Sequence, residues 1–276
     1  MSTTIDQAFV QLFDSEVKLA YQVMGSKLRS TVRLKNTKGA STCRFQKLGK
    51  GSASQKSRHG DVPVMNAVHT YVDATMADWY AADYVDKLDE FKTNIDERGV
   101  LVQTAAAALG RKTDNLIITA LTSGLASAQN ITTAAYASAI TTTVAKAIFK
   151  KFNDNDVPDD GNRVVLVGTQ QWNDLLGISE FISSDYVGAQ TPIVQGTQAR
   201  KWLNMWWMMH TGLAASGSST ICIAYHKTAI GHGENYAVSS EINYVPTKAA
   251  FFLNSMLSAG SIRIDDYGVV RFDMNT

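Results

Sequence analysis

The sequence predicts an α+β fold, and three observations carry that expectation. The stretch from Asn94 to Gly124 has the pattern of one long helix. A two-stranded excursion rich in lysine and arginine precedes it, and the chain from residue 236 onward reads as strands separated by turns. The helix comes first in the argument. Asn94 can cap it, and Glu97, three residues on, completes a capping box. Asp96 and Glu97 place negative charge at the positive end of the helix dipole. The run Ala105–Ala108 has the highest helix propensity available. Leu101, Ala105, Ala108, Leu109, Leu116, Ala120 and Leu121 fall near helical spacing, while Arg98, Arg111, Lys112 and Asp114 occupy other faces. Gly124 is a natural stop. Such a helix is about 43 Å long, enough for other elements to be hung on it.

Composition bounds the rest. A chain of 276 residues can bury a large core and suggests one big or two moderate domains. With 45% hydrophobic residues, 18% charged residues and a net charge of +1, nothing pulls the whole molecule toward nucleic acid or an anionic membrane. No apolar run approaches the length of a membrane span, and the opening residues lack the pattern of a signal peptide. Cys43 and Cys222 are few and far apart. They form neither a disulfide framework nor a metal set, and a reduced, cytoplasmic site of synthesis is expected.

Taken in order, residues 5–24 read as a short helix or arm. The charge then changes sharply. From Lys27 to Gly60 there are ten Lys/Arg and no Asp or Glu; from Asp61 to Gly99 there are nine Asp/Glu against three Lys/Arg. Within the basic block, Thr31–Leu34, Cys43–Leu48 and, further on, Ala67–Val72 are strand-like, and Gly49–Gly60 reads as the flexible tip of a ribbon. A two-stranded ribbon is marginal alone and needs a surface to lie on. A basic ribbon beside an acidic block suits head-to-tail self-association, one copy's ribbon on the next copy's acidic surface. Arg44, Lys47, Lys50, Lys56 and Arg58 are the candidate contacts on one side, and Asp83, Asp86, Asp89 and Glu90 those on the other. A nucleic-acid contact through Lys47, Lys50, Lys56 and Arg58 is the competing reading, weakened because only Phe45 is available for stacking. A merely solvated loop is the third.

Asp73–Phe91 reads as a strand and a short helix leading into the long one. After Gly124, a Thr/Ala-rich connector precedes a second helix over Ile140–Phe152, and NDNDVPDDGN is a turn that only partly imitates a calcium loop. Arg163–Val167 is a buried strand, Trp172–Ile182 a short helix, and the Trp/Met segment Trp202–Met209 a core strand or contact surface. Ile221–Tyr225 is apolar. His226 and His232 stand six apart with no third ligand at metal spacing. The expected closing strands are Tyr236–Val238, Glu241–Tyr244, Ala249–Leu257, Ser261–Ile264 and Val269–Phe272, with a turn at Asp265–Gly268. The last of them must join a sheet begun earlier.

No nucleophile elbow, Walker loop, HExxH or CxxC pair is present. No catalytic residue, metal or cofactor is expected, and the residues ask for a structural or binding role.

Set together, these pieces resemble the major capsid proteins of tailed bacteriophages, the Hong Kong 97-type fold, in a short podovirus-like form. The residues behind this are Phe13–Tyr21, Phe45–Gly49 and the basic loop, Tyr84–Phe91, and Ile95–Leu121. They continue with Val157-Pro158 before Arg163–Val167, Trp172 with Leu175-Leu176, Tyr186-Val187-Gly188, Ala224–Gly231 and Tyr267–Arg271. The resemblance implies an N-terminal arm (1–35), an extended hairpin loop (36–72), a peripheral domain (73–128) with the spine helix at 94–124, an axial domain (129–234), and return strands (235–276). It implies no enzyme but a shell subunit that joins itself in pentamers and hexamers around packaged double-stranded DNA. The implied partners are a portal protein, a separate scaffolding protein and a decoration protein, with no membrane. The virion capsid is the implied location, after synthesis in the host bacterial cytoplasm. A cellular nanocompartment shell, sharing the fold, and a DNA-binding protein using residues 27–60 are the rival readings.

Overall fold

The computed structural model describes residues 25–88, 97–131, 139–182, 199–217 and 219–275. The expected N-terminal helix at 5–24, the Asn94 cap, most of the Thr/Ala connector and the loop around Tyr186 to Gly196 lie outside the described residues. The described chain is mixed α and β and falls into two compact units, which share the long helix, α1 (Glu97–Thr122).

The first unit comprises residues 25–26, 78–88, 97–112 and 236–258 among those described. Its strands belong to a four-stranded sheet in the order β1 (Arg33–Asn36), β11 (Ile230–Val245), β12 (Ala250–Arg263) and β4 (Ala77–Asp86). Alternation sorts the two faces. On the helix side, the Lys112 ammonium lies 3.6 Å from the Trp79 ring centroid and Arg98 lies 4.6 Å from that of Phe251. Val85, Leu253 and Leu257 share that parity and are buried. Tyr80, Tyr84 and Phe252 have the opposite parity and face away from α1.

The second unit is built on a mixed sheet in the order β5 (Asn130–Ile131), β13 (Val269–Asn275), β10 (Ser219–His226), β6 (Arg163–Val167), β8 (Met205–Met209) and β7 (Ala199–Trp202), with β9 (Ala215–Ser216) attached to β10. Both faces are covered, so β6 is buried at every position, as expected for an uninterrupted β-branched run. Val165, Val167, Cys222, Ala224 and Phe272 face α2 (Thr142–Asp154) and Trp207. Val164, Leu166, Ile223 and Tyr225 face Leu28, Val32 and the Ile117–Leu121 turn of α1. Within the Trp/Met segment, Met205 and Trp207 are core while Trp206 is exposed, and the closing strand does join earlier ones: β13 pairs β10 antiparallel and β5 in parallel.

Three expectations change. The strands expected after residue 236 are not short: β11 and β12 run through 16 and 14 residues, past the serines and the glycine that read as turns. Gly260 is there because a Cβ would collide with the Thr75 carbonyl oxygen, so it marks close backbone approach rather than a break. Trp172–Ile182 is two short helices, α3 (Thr169–Leu175) and α4 (Ser179–Ile182), and not one. The first basic strand, β1 (Arg33–Asn36), starts after a 3₁₀ turn at Arg29–Thr31 and pairs in parallel with the start of β11. At the other end of α1, Gly124 takes φ +63°, as a helix stop requires. Arg263 donates to the carbonyls of Ala120, Leu121, Ser123 and Gly124, placing a cation on the negative helix end.

Candidate functional site

The basic ribbon is a hairpin. β2 (Thr42–Leu48) and β3 (His69–Thr75) pair antiparallel from Thr42↔Thr75 to Leu48↔His69. Cys43 and Phe45 point inward and are buried with Ala74 and Ile264, while Thr42, Arg44 and Gln46 between them are exposed. That small cluster supplies the floor a two-stranded ribbon needs. Gly49 N–H still donates to the Val68 carbonyl at 2.8 Å. Residues 50–67 then form no regular element, and most of their side chains are exposed.

Three of the basic candidates already hold carboxylates of their own chain. Arg44 grips Asp73, its cross-strand neighbour, through two bonds of 2.8 Å, and its guanidinium lies 3.9 Å from the Tyr71 ring centroid. Lys47 lies 2.7 Å from Asp265, and Lys50 lies 2.5 Å from Asp156. Hydrogen bonding to these cations holds the Asp73 and Asp156 carboxyls below the usual carboxylate range. Lys56 and Arg58, nearer the tip, are exposed. The two lysine pairs border a cavity of about 590 Å³, to which Tyr267, Val157, Pro158 and His226 also contribute. Asp156 and Asp265 read only as turn residues in the sequence. Nothing in their spacing announces Lys50, 106 positions away, as a partner.

On the acidic side, Asp83 and Asp86 are both exposed on β4. Alternation places them on opposite faces of the strand. Each accepts a local backbone N–H, Asp83 from Tyr84 and Asp86 from Leu88. Asp89 and Glu90 lie outside the described residues.

The histidines are tied into the scaffold. Thr228 donates to His226 Nδ1, which leaves Nε2–H to donate to Asp160 at 3.0 Å. Bonds from Asn162 and His226 hold the Asp160 carboxyl far below the usual range. His232 is fully buried and bonds Ser261 at 2.7 Å. Among the described residues no three His, Cys, Asp or Glu side chains are placed to share a metal ion, and no helix is long and apolar enough to cross a membrane. What the hairpin and the β4 sheet offer chemically is reversible ion pairing and apolar contact.

The comparisons bear on that. The family model described as phage capsid protein matches residues 5–275. No curated protein sequence matches the chain. Among solved structures, the capsid of the cyanophage P-SCSP1u superposes with a TM-score of 0.76 at 15% identity, covering 100% of this chain and 96% of that one. The acid-stable capsid of the Helicobacter pylori bacteriophage KHP30 gives 0.73 at 13% identity, covering 100% and 97%. The capsid of Ralstonia phage GP4 gives 0.71 at 13%, covering 100% and 98%. At such identities the likeness is one of fold.

Proposed function

This chain belongs to the phage capsid protein family, and from that premise we propose that it is the repeating subunit of an icosahedral phage head, assembling into pentamers and hexamers around double-stranded DNA. The family and the fold are those of a structural protein, and the resemblance to tailed-phage capsid proteins of the Hong Kong 97 type is borne out. The observation that carries the proposal is the extent of the match, which runs through nearly the whole chain rather than one module.

In this reading α1 is the spine, residues 129–234 form the axial domain that gathers around symmetry axes, and the hairpin reaches a neighbouring copy. Assembly rests on many weak contacts made at once. Exposed ion pairs contribute roughly 0–1 kcal/mol each, but heterologous contacts repeat around every ring that closes. A portal, a separate scaffolding protein and a decoration protein are the proposed partners, and DNA is held on the inner surface without sequence specificity.

Electron microscopy of the purified protein tests this directly: closed shells, or five- and six-fold capsomers, are expected. A protein that stays monomeric at high concentration, yet binds duplex DNA with a steep salt dependence, would overturn it in favour of the DNA-binding reading. Shells filled with a cargo enzyme would favour the nanocompartment.

A further inference from the structure

Strand β11 runs on well beyond its pairing with β1, which lies beside Gly231–Glu234 only. From Tyr236 to Val245 it has β12 on one side, and no other described strand borders it on the other. Tyr244 packs on Phe251 with ring centroids 5.4 Å apart, and Ser240 bonds Ser255 at 2.6 Å. Tyr236, Val238, Ser240, Ile242 and Tyr244 therefore share the helix side of the sheet with Leu253 and Leu257. Those two leucines are buried, whereas Tyr236, Val238, Ile242 and Tyr244 are 46%, 43%, 46% and 46% exposed. An open edge of this length is a template for another strand, and edges that stay single are ordinarily charged or interrupted by proline. The outer strands of this sheet follow that rule: β1 carries Arg33 and Lys35, and β4 carries Asp78, Asp83 and Asp86. Residues 236–245 contain no lysine, arginine or proline, and their one charge is Glu241.

Resting on the capsid reading, we propose that the Tyr236–Val245 edge pairs antiparallel with the same edge of a second copy, across a two-fold axis perpendicular to the sheet. The edge is complementary to itself. With Ser240 opposite its own counterpart, Val238 faces Ile242 of the second copy and Tyr236 faces Tyr244, so apolar meets apolar and aromatic meets aromatic. On the other face Glu241 meets Ser239. Sliding the copies by two residues one way sets Glu241 against its own counterpart, and like charges directly opposite destabilise a pair. Sliding them the other way puts Ser240 against Val238 and Tyr244 against Glu234, where β1 already occupies the edge. The two-fold keeps α1 on one side of both copies, as subunits of one shell require. The contact is isologous, and it ties two capsomers together where they meet.

Cysteine cross-linking tests the pairing and its register. Cys43 and Cys222 are both buried, so an introduced thiol is the reactive one. Opposed residues of an antiparallel pair have Cα atoms about 4.5–5.5 Å apart, within reach of a disulfide. Under mild oxidation in assembly conditions, Ser240→Cys is expected to form a disulfide-linked dimer with itself. Val238→Cys should form one only when mixed with Ile242→Cys, because its own counterpart lies four residues, roughly 14 Å, along the strand. A disulfide in Val238→Cys alone would place the copies in another register and overturn the pairing. In parallel, Val238→Lys with Ile242→Lys opposes like charges and should weaken association at least about tenfold in sedimentation. Val238→Lys with Ile242→Glu opposes lysine to glutamate at the same two places and should associate like the parent; equal association of the two variants overturns the pairing. Shells in which Ser240→Cys gives no dimer overturn it too, and leave the capsid reading standing. A cross-linked dimer from a protein that forms neither capsomers nor shells keeps the pairing and overturns the capsid reading.

Discussion

At the scale of single residues, Asp114 shows how a polar side chain on the long helix becomes structural. By spacing it belongs to a face apart from the apolar stripe, yet it is 2% exposed. Its carboxylate accepts the backbone N–H groups of Lys27 and Leu28, each at 3.1 Å, and lies 3.2 Å from His210 Nε2. Gly212 N–H donates to His210 Nδ1, so the ring proton sits on Nε2 and points at Asp114. The helix thereby holds both the start of the basic block and the end of β8. Asp114→Ala would leave several buried donors unpaired, and a loss of about 3 kcal/mol is expected, read from the urea midpoint. A loss under about 0.5 kcal/mol, the size of an ordinary surface change, would refute that role.

At the scale of elements, the parallel pairing of β1 with β11 rests beside a titratable cluster. Arg29 holds Glu234 through two bonds, one of them 2.7 Å, and His232 is buried next to them with its Nε2 3.5 Å from Glu234. Burial pushes the His232 imidazole below its ordinary value, although Glu234 opposes the shift. Hydrogen bonding from Arg29 holds the Glu234 carboxyl below its own. The sign is the same for both groups. The unfolded chain takes up a proton on His232 near pH 6.5 and on Glu234 near about 4.3, in each case before the folded chain does. Stability is therefore lost as pH falls, first below about 6.5 and again below about 4.3. The melting temperature is expected to drop from pH 7 to pH 5, with His232→Gln flattening that part of the curve and leaving the more acidic part. An unchanged slope in the variant would show that the loss arises elsewhere.

At the scale of the whole molecule, the hairpin root is where intramolecular and intermolecular roles meet. Lys47→Glu with Lys50→Glu places like charges against Asp265 and Asp156, so the root should lift from its seat. The expected outcome is a folded subunit, with normal circular dichroism, that forms no shells. Ordinary particles from the double variant, seen by electron microscopy, would show that the root lysines are dispensable for assembly. The effect on folding is expected to be small because the Lys50 pair is well exposed, with side-chain accessibilities of 79% and 73%.

Much of this architecture is legible in the residues, because it follows from local periodicity. The 3.6-residue spacing of α1, the β-branched run of β6, the strand character of the hairpin's Cys43–Leu48 arm, and the turn at Asp265–Gly268 are properties of neighbouring positions. The family resemblance, spread over short segments in a fixed order, belongs to the same class. What the tertiary structure alone decides is pairing across the chain. The opposed charge blocks suggest acidic partners at residues 83–90 of a neighbouring copy, and within the chain itself Arg44, Lys47 and Lys50 meet Asp73, Asp265 and Asp156. Arg263 closing the end of α1 from about 140 residues away and Gly260 serving as a point of close approach are likewise invisible along the sequence. Ion pairs and close packing depend on separations of a few ångströms, and only the folded chain sets those separations between residues far apart in sequence.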